Sequence, residues 1–470
     1  MTQAPILLWF RRDLRLTDQA AVAAAVRCGR PCVPVFVLDD GADGLRQPGA
    51  ASEWWLDKSL QALAGELERR GSRLIVRRGP SRAVLPALAR EVGAGAAVWG
   101  RSYEPGARAR DAAVRAALDG LAVEETDGSF LVQPGSVRNG SGEAYRVFTP
   151  WWRAAQKGLG DVRPSPAPTS LRPPTHWPAS LPRGEWRLHP TKPDWSGGFA
   201  WTAGEAAALA RLDSFMASGA DRYHVTRDLP AEAGSTRLSP HLTWGEIGAR
   251  QIYAAAQDAA IGHEARDKLL SEVAWRDFNW QLLTTYPEVA DTPFRREFSA
   301  LPTRDAPEDL EAWRRGLTGY PIVDAGMREL WATGWMPNRL RLIAGSFLVK
   351  HLMIDWREGE RFFWDTLIDA DPANNPLNWQ WIAGSGPDAQ PFNRIFNPLL
   401  QAEKFDGRAE YVRRWVPELG DLPDATAHQP WTAAELPAGY PPPVVEHGFA
   451  RERALRAFQA VRTSTMRNEA

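Results

Sequence analysis

The strongest constraint on this chain is a repeated change of hydrophobic period between residues 6 and 124. Short apolar runs at Ile6–Phe10, Pro34–Leu38, Leu74–Val76, Ala97–Trp99 and Leu121–Glu124 read as strands. Between them lie helical segments. The first can be capped by Thr17 or Asp18 after the loop Arg11–Arg15, and it is followed by Ser52–Arg70 closed by Gly71, Ser81–Val92, and Pro105–Leu118. Repeated strand–helix units imply a parallel sheet covered by helices, an α/β domain of Rossmann-like type over residues 1–130. The first strand–helix loop lacks the G-x-G-x-x-G of dinucleotide binders. The layout alone therefore fixes no function.

A chain of 470 residues exceeds what one core usually serves, so two domains are expected. Nine prolines between Asp161 and Trp195 are too many for regular helices or central strands, and residues 131–200 read as an interdomain linker. From Thr202 the period is helical, in EAAALARLDSFMAS, WGEIGARQIYAAAQDAA and ARDKLLSEVAWRDFNWQLLTTY. Residues 201–470 are expected to form a predominantly α-helical domain ending in a helix over Glu446–Ser464.

Composition limits the partners. Hydrophobic content of 44% and charged content of 24% fit a soluble globular protein. No apolar run reaches the roughly 18 to 20 residues of a membrane span, and the N-terminus lacks a basic region followed by an apolar one; a cytoplasmic location is expected. Cys28 and Cys32 read as structural, and the eight histidines are scattered without ligand spacing, so no metal is assigned. A net charge of −1 excludes a surface wrapped in basic charge but not a local patch. Of 56 basic residues only six are lysines. The arginine fork suits phosphate, though GC-rich coding explains the bias as well. Most of the 22 tryptophans must pack the core, yet indole also stacks on bases and relays electrons.

The densest pattern runs from Tyr320 to Phe405, beginning TGYPIVDAGMRELWATGWMPNRLRLIAGSFLVKHLMIDWREGERFFWDTLIDADPANNPLNWQW and continuing through RIFNP to EKFD. With LLWFRRDLRL at Leu7–Leu16 and GSTRLS at Gly234–Ser239, it closely resembles the DNA photolyase and cryptochrome family over nearly the whole chain. The nearest likeness is to cyclobutane pyrimidine dimer photolyases of the class III type, related to plant cryptochromes. The resemblance implies an antenna-type N-terminal domain and a helical domain that binds FAD and DNA. Too few cysteines are present for an iron–sulfur subtype.

On their own chemistry Ser235, Thr236, Arg237 and Ser239 offer the hydroxyls, backbone donors and guanidinium that a pyrophosphate needs, although such a string also starts ordinary capped helices. The resemblance makes them, with Leu238 and Tyr223, the FAD phosphate clamp, and adds Arg276, Asn338, Arg341, Asp369 and Asp371. Pro337 and Asn338 open a helix through Lys350, on which Asn338 and Arg341 share a face. The resemblance pairs Arg341 with Asp369, sets Asp371 on the ribityl or ring edge, and sets Asn375 opposite flavin N5. A carboxylic acid there, as in plant cryptochromes, can deliver a proton, whereas an amide hydrogen-bonds without titrating and suits a fully reduced flavin.

Glu272 and Trp275 stand three apart on LLSEVAWRDF, hence on one helix face. A carboxylate beside an indole suits a pyrimidine pair, with its polar edges and flat rings. The resemblance places both in a lesion pocket with Asn338, Arg339, Leu342 and Trp381, and makes Arg339 and Arg394 phosphate holders on its rim. Histidines that mark (6–4) enzymes at the positions of Asn338 and Leu342 are absent. Trp379 and Trp356 match the inner and middle members of the family's electron relay. The surface member's position holds Thr303, so either the relay ends at Trp356 or another aromatic finishes it, with Trp331, Trp364 and Tyr320 as candidates.

The expected activity is light-driven repair of cyclobutane pyrimidine dimers in single- or double-stranded DNA, by a monomer that flips the dimer out toward photoexcited reduced FAD. The alternatives are a cryptochrome-like photoreceptor without repair and a flavin electron-transfer protein unrelated to DNA. Glu272, Trp275, Asn375, Trp381 and the expected lack of a long polar tail weigh against them. Gly106 and Ala107 replace the asparagine and glutamate that hold a folate antenna in many bacterial relatives. The antenna expected from the subclass is 5,10-methenyltetrahydrofolate, bound elsewhere.

Overall fold

A computed structural model describes residues 3–41, 44–189 and 194–468; residues 190–193 of the proline-rich stretch lie outside the described residues. Five parallel strands, β1 (Ile6–Phe10), β2 (Cys32–Leu38), β3 (Ile75–Arg78), β4 (Ala96–Gly100) and β5 (Ala122–Thr126), form one sheet in the order β3-β2-β1-β4-β5. The intervening helices are α1 (Ala20–Arg27), α2 (Ala50–Arg69), α3 (Ser81–Val92) and α4 (Pro105–Ala117). Side chains alternate across a strand. Ile6, Leu8 and Phe10 therefore enter one apolar layer with Val22 of α1 and Trp55 of α2, while Leu7 and Trp9 enter the other with Leu88 of α3 and Val114 of α4. Burial on both faces is why β1, β2 and β4 read as continuous apolar runs, while the edge strand β5 has no buried residue.

The cap of α1 is Gln19, whose side chain accepts the Ala21 N–H, and not Thr17 or Asp18. Asp18 is engaged elsewhere. At φ +49° it turns its carboxylate to the Ser165 N–H and to Arg250.

The first apolar layer continues past the sheet into Trp244, Trp335 and Ile368 of the helical half. Polar contacts fix the same junction. Glu205 accepts the N–H groups of Leu16 and Thr17, and the buried Arg15 donates to the carbonyls of Thr17, Asp18 and Gly245. A Cβ at Gly245 would lie 2.3 Å from the Arg12 carbonyl oxygen, so only glycine permits this approach. The C-terminal ends of the strands are thereby held against the helices that carry the site.

The stretch read as a linker contains a helix, Phe148–Gln156, tied to the long helix His263–Thr285 by a 3.0 Å bond from Trp151 Nε1 to Gln281 Oε1. Its apolar face buries Phe148, Trp151 and Trp152 in the core of the helical half, a contact the proline count could not announce. Between residues 157 and 195 the described chain forms no α-helix or strand. The helix opened by Asn338 is α-helical to Ser346 and then widens into a π-helical turn over Phe347–His351. The last helix is His447–Asn468. Among the described residues no helix is long and apolar enough to cross a membrane.

One buried acid of this frame predicts a pH dependence. Asp277 accepts the N–H groups of Leu131 and Val132 and pairs with Arg276, and burial outweighs these contacts to raise its pKa to about 6. A folded-state pKa above the unfolded one makes a contribution that is full below the unfolded value near 4 and is lost as pH rises through 6. Urea unfolding of the parent and Asp277→Asn should therefore show a decline in parent stability between pH 4 and 6 that the variant lacks. Parallel pH profiles would contradict it.

Candidate functional site

The loop Gly234–Ser239 is shaped by close approach. A Cβ on Gly234 would lie 2.4 Å from the Thr226 carbonyl oxygen, and Arg237 is held at φ +51°, a left-handed conformation that side chains resist. Thr236 Oγ1 accepts the Leu238 N–H and Ser239 Oγ accepts Trp335 Nε1–H, so both hydroxyls keep their own protons to donate. Leu238 and Tyr223 are buried behind the loop, and burial pushes the Tyr223 phenol upward. The guanidinium of Arg237 lies 5.1 Å from the centre of the Trp335 ring and 5.9 Å from that of Trp201, and Arg211 approaches Trp201 to 5.6 Å. Burial, and then the neighbouring charge of Arg237, lower the pKa of Arg211. An anion between the two cations would relieve their repulsion, so hydroxyls, charge and loop shape together fit a diphosphate.

A second cluster lies where the helices Asn338–Ser346 and Asn374–Ala383 meet. Arg341 grips Asp369 through two bonds of 3.1 and 2.8 Å, donates to the Met336 carbonyl, and the Asp369 carbonyl in turn accepts from Thr243. Asp371 accepts from Trp280 Nε1, from the N–H groups of Ala373 and Asn374, and from the Asn374 side chain, so it also secures the start of the second helix. At the second residue of that helix, the Asn375 amide nitrogen donates to the carbonyl oxygen of Glu360 and to its carboxylate at 3.0 and 2.8 Å. Glu360 is itself gripped by Arg46. Both amide protons are thus engaged within the protein, and Oδ1 is the atom left for a ligand.

Of the expected lesion residues, Glu272 and Arg339 are linked through the adjacent Arg227 and Asp228. Arg227 is ion-paired with Glu272, which also meets Lys268 at 2.8 Å; these cations outweigh burial and hold the Glu272 pKa below its usual value. Asp228 receives Arg339 at 2.6 Å, and that guanidinium lies over Phe405. The Trp275 ring stacks on Phe148 with centroids 3.9 Å apart and planes 10° apart. Asn338 is exposed at the head of its helix, with Leu342 partly buried one turn later. Trp381 is half-buried on the helix that carries Asn375, and Arg394 is exposed on the loop that follows. Its backbone carbonyl accepts from the buried Lys350 ammonium.

Of the residues expected to relay electrons, Trp379 is buried and a Cβ on Gly359 would lie 2.1 Å from its ring. Trp356 opens the helix Trp356–Thr366, three residues before that glycine and therefore about one turn away. The three aromatics considered as outer members have other partners: Trp331 stacks on Trp195, Trp364 lies under Arg46, and Tyr320 bonds to the Val445 carbonyl. The indole against Trp379 is Trp313, at 6.2 Å.

Arg276 reaches a separate cleft of about 450 Å³ at the C-terminal ends of the strands. Arg12, Arg46, Trp244, Trp280 and Ala107 also line it, and Asp371 stands on the wall it shares with the second cluster. Sequence reasoning missed Arg211, Arg227, Asp228, Glu360 and Phe148. Only Arg227 and Asp228 gave a local signal, as an ion-capable pair one turn after Tyr223; the others lie far in sequence from the groups they serve.

Comparison with known proteins matches residues 6–170 to the family description DNA photolyase and residues 269–460 to the FAD binding domain of DNA photolyase. The chain is 46% identical to the deoxyribodipyrimidine photo-lyase of Agrobacterium fabrum, over 98% of this chain and 99% of that protein. It is 34% identical to cryptochrome-2 of Arabidopsis thaliana, over 97% of this chain and 79% of that protein. The crystal structure of a class III photolyase from Agrobacterium tumefaciens superimposes with a TM-score of 0.95 at 46% identity, covering 98% of each chain.

Proposed function

The chain belongs to the DNA photolyase family, and we infer from that membership that it is a light-driven lyase that splits cyclobutane pyrimidine dimers in UV-damaged DNA. The observation that carries this reading is the full-length identity of 46% to a photo-lyase. FAD is its cofactor. When bound and reduced, FAD supplies the electron that light transfers to the dimer and that returns once the ring has opened.

The protein's own side chains bind and orient. Ser235, Thr236, Arg237 and Ser239, joined by Arg211, are suited to hold the diphosphate, with Leu238 and Tyr223 as backing. Arg341 and Asp369 bring a charge-neutral pair to the cofactor, with Asp371 and Asn338 at its edges, while Arg276, expected beside FAD, instead lines the separate cleft. Asn375 presents a carbonyl oxygen, which accepts a hydrogen bond and so favours a ring that carries a proton at N5. For the lesion, Trp275 and Trp381 offer flat apolar faces and Leu342 an apolar wall. Glu272, kept ionised by Arg227 and Lys268, can only accept, and a pyrimidine N–H is the donor it fits. Arg339 and Arg394 suit flanking phosphates. Action on single- and double-stranded DNA, a monomeric state and a cytoplasmic location belong to the same proposal. For the antenna, the arginine-lined cleft beside Trp244 and Trp280 suits a flat anionic chromophore, and 5,10-methenyltetrahydrofolate is the one we propose.

The test is product analysis. Reduced protein under blue light should restore pyrimidines from a cyclobutane dimer in oligonucleotides of either form and leave (6–4) products unchanged. Intact reduced FAD and bound lesion DNA with no loss of dimer would refute the reading and favour a photoreceptor. Asn375→Asp should lower the repair yield and make it pH-dependent, because a carboxylate 2.8 Å from Glu360 forces the two acids to share a proton. Parent and variant pH profiles that coincide would remove Asn375 from the cofactor.

A further inference from the structure

The loop after Trp381 does more than carry Arg394. Asp388 on this loop accepts the N–H of Phe148 through Oδ2 at 2.9 Å, across 240 residues of sequence. Phe148 is the first residue of its helix, so this N–H has no partner within the helix and the carboxylate fixes where the helix begins. The Phe148 ring is 7% exposed and lies parallel to Trp275 at 3.9 Å, while Phe278 meets both rings edge-on at 5.8 and 5.7 Å. Trp275 itself is only partly buried. One face of its indole is therefore backed by a flat ring, its edge is held, and the plane in which it can receive a second stacked ring is set by Phe148. Further along the loop the backbone is tied again, where the Arg394 carbonyl accepts from Lys350 Nζ at 2.9 Å.

We propose that Phe148, held by Asp388, is a positioning residue for dimer recognition: it fixes the plane of Trp275, and the Gly384–Phe396 loop ties that plane to the phosphate contact at Arg394. This inference rests on the lesion reading of Trp275. An indole free to tilt would lose stacking with a flipped dimer but would leave contacts to undamaged backbone unchanged. The signature is therefore a ratio of affinities and not affinity alone.

The experiment uses the full-length protein with FAD bound and measures binding of a dimer-containing oligonucleotide and its undamaged counterpart. The variants are Phe148→Leu, Asp388→Ala, Asp388→Asn and Trp275→Ala. Phe148→Leu should lower the affinity for lesion DNA roughly three- to tenfold, the scale of one aromatic pair, and leave undamaged DNA and flavin content unchanged. Asp388→Ala should act in the same direction, and Asp388→Asn, which retains an acceptor oxygen, should restore most of the loss. In combination with Trp275→Ala, Phe148→Leu should have no further effect. Equal weakening of both DNAs by Phe148→Leu and Asp388→Ala, or no weakening by either, overturns the proposal. If Trp275→Ala itself leaves the ratio unchanged, the lesion reading of Trp275 fails and this inference with it; if Trp275→Ala changes the ratio and the other two do not, the inference alone fails.

Discussion

Asp369→Ala should unfold at markedly lower urea concentration than the parent and should be purified without flavin colour. The Asp369 side chain is 2% exposed and that of Arg341 23%, and the two share a pair of parallel hydrogen bonds. Removing one partner leaves the other charged and largely desolvated, which costs about 3–5 kcal/mol for a buried pair; the residual exposure of Arg341 places this case near the lower end. The pair's own net contribution is small by comparison, because bringing both charges out of water offsets most of their attraction. The double variant Asp369→Leu/Arg341→Met should therefore recover most of the lost stability while still failing to hold flavin. Retention of both parental stability and parental flavin content by Asp369→Ala would remove the pair from the cofactor site.

What was legible in the sequence follows from what is local. β1, β2 and β4 could be read because burial on both faces leaves short unbroken apolar runs, whereas the edge strand β5, AVEET with no buried residue, is legible only as the last step of the strand–helix alternation; each strand lies within three residues of its expected ends. The cap of α1 could not, since Asp18 is drawn off by Ser165 and Arg250, which are distant in sequence. The helix inside the 131–200 stretch was hidden for the same reason: its burial is against residues near 278 and 281. In the site, the Arg341–Asp369 pair was read from family pattern and is present as a contact. The partners of Glu272, Arg339, Asn375 and Trp275 were not read: Glu360 and Phe148 carry no spacing that points to them, and the Arg227–Asp228 pair, one turn after Tyr223, marks itself as ion-capable without naming Glu272 and Arg339, which lie far off in sequence. The π-helical turn at Phe347–His351 has no sequence signature either, yet it buries Lys350 at the point where its ammonium meets the Arg394 carbonyl.

Trp379→Phe and Trp356→Phe should each suppress photoreduction of oxidised flavin by an external reductant under blue light, while Trp313→Phe should leave it close to that of the parent. Trp313 does touch Trp379, but it is fully buried, stacked on Phe363 and bonded to the Ala344 carbonyl, so an electron hole placed there has no path to solvent. Trp356 is one helical turn from the glycine packed on Trp379, and Arg357 lies 5.0 Å above its ring. That charge is matched by Asp355, which Arg357 meets at 3.1 and 3.0 Å; on our reading of the relay its outer position falls at the exposed Thr303, which has no oxidisable ring to take the hole. The hole on Trp356 should therefore be short-lived, and photoreduction slow even in the parent. Placing an indole at the outer position, Thr303→Trp, should accelerate it. Repair by protein whose flavin has been reduced chemically beforehand should be unaffected by Trp356→Phe, because the dimer receives its electron from the cofactor and not from this chain of rings. Parental photoreduction in both Trp356→Phe and Trp379→Phe would show that electrons enter by another path, and the stacked Trp195–Trp331 pair, whose outer ring is 47% exposed, is where that path would be sought.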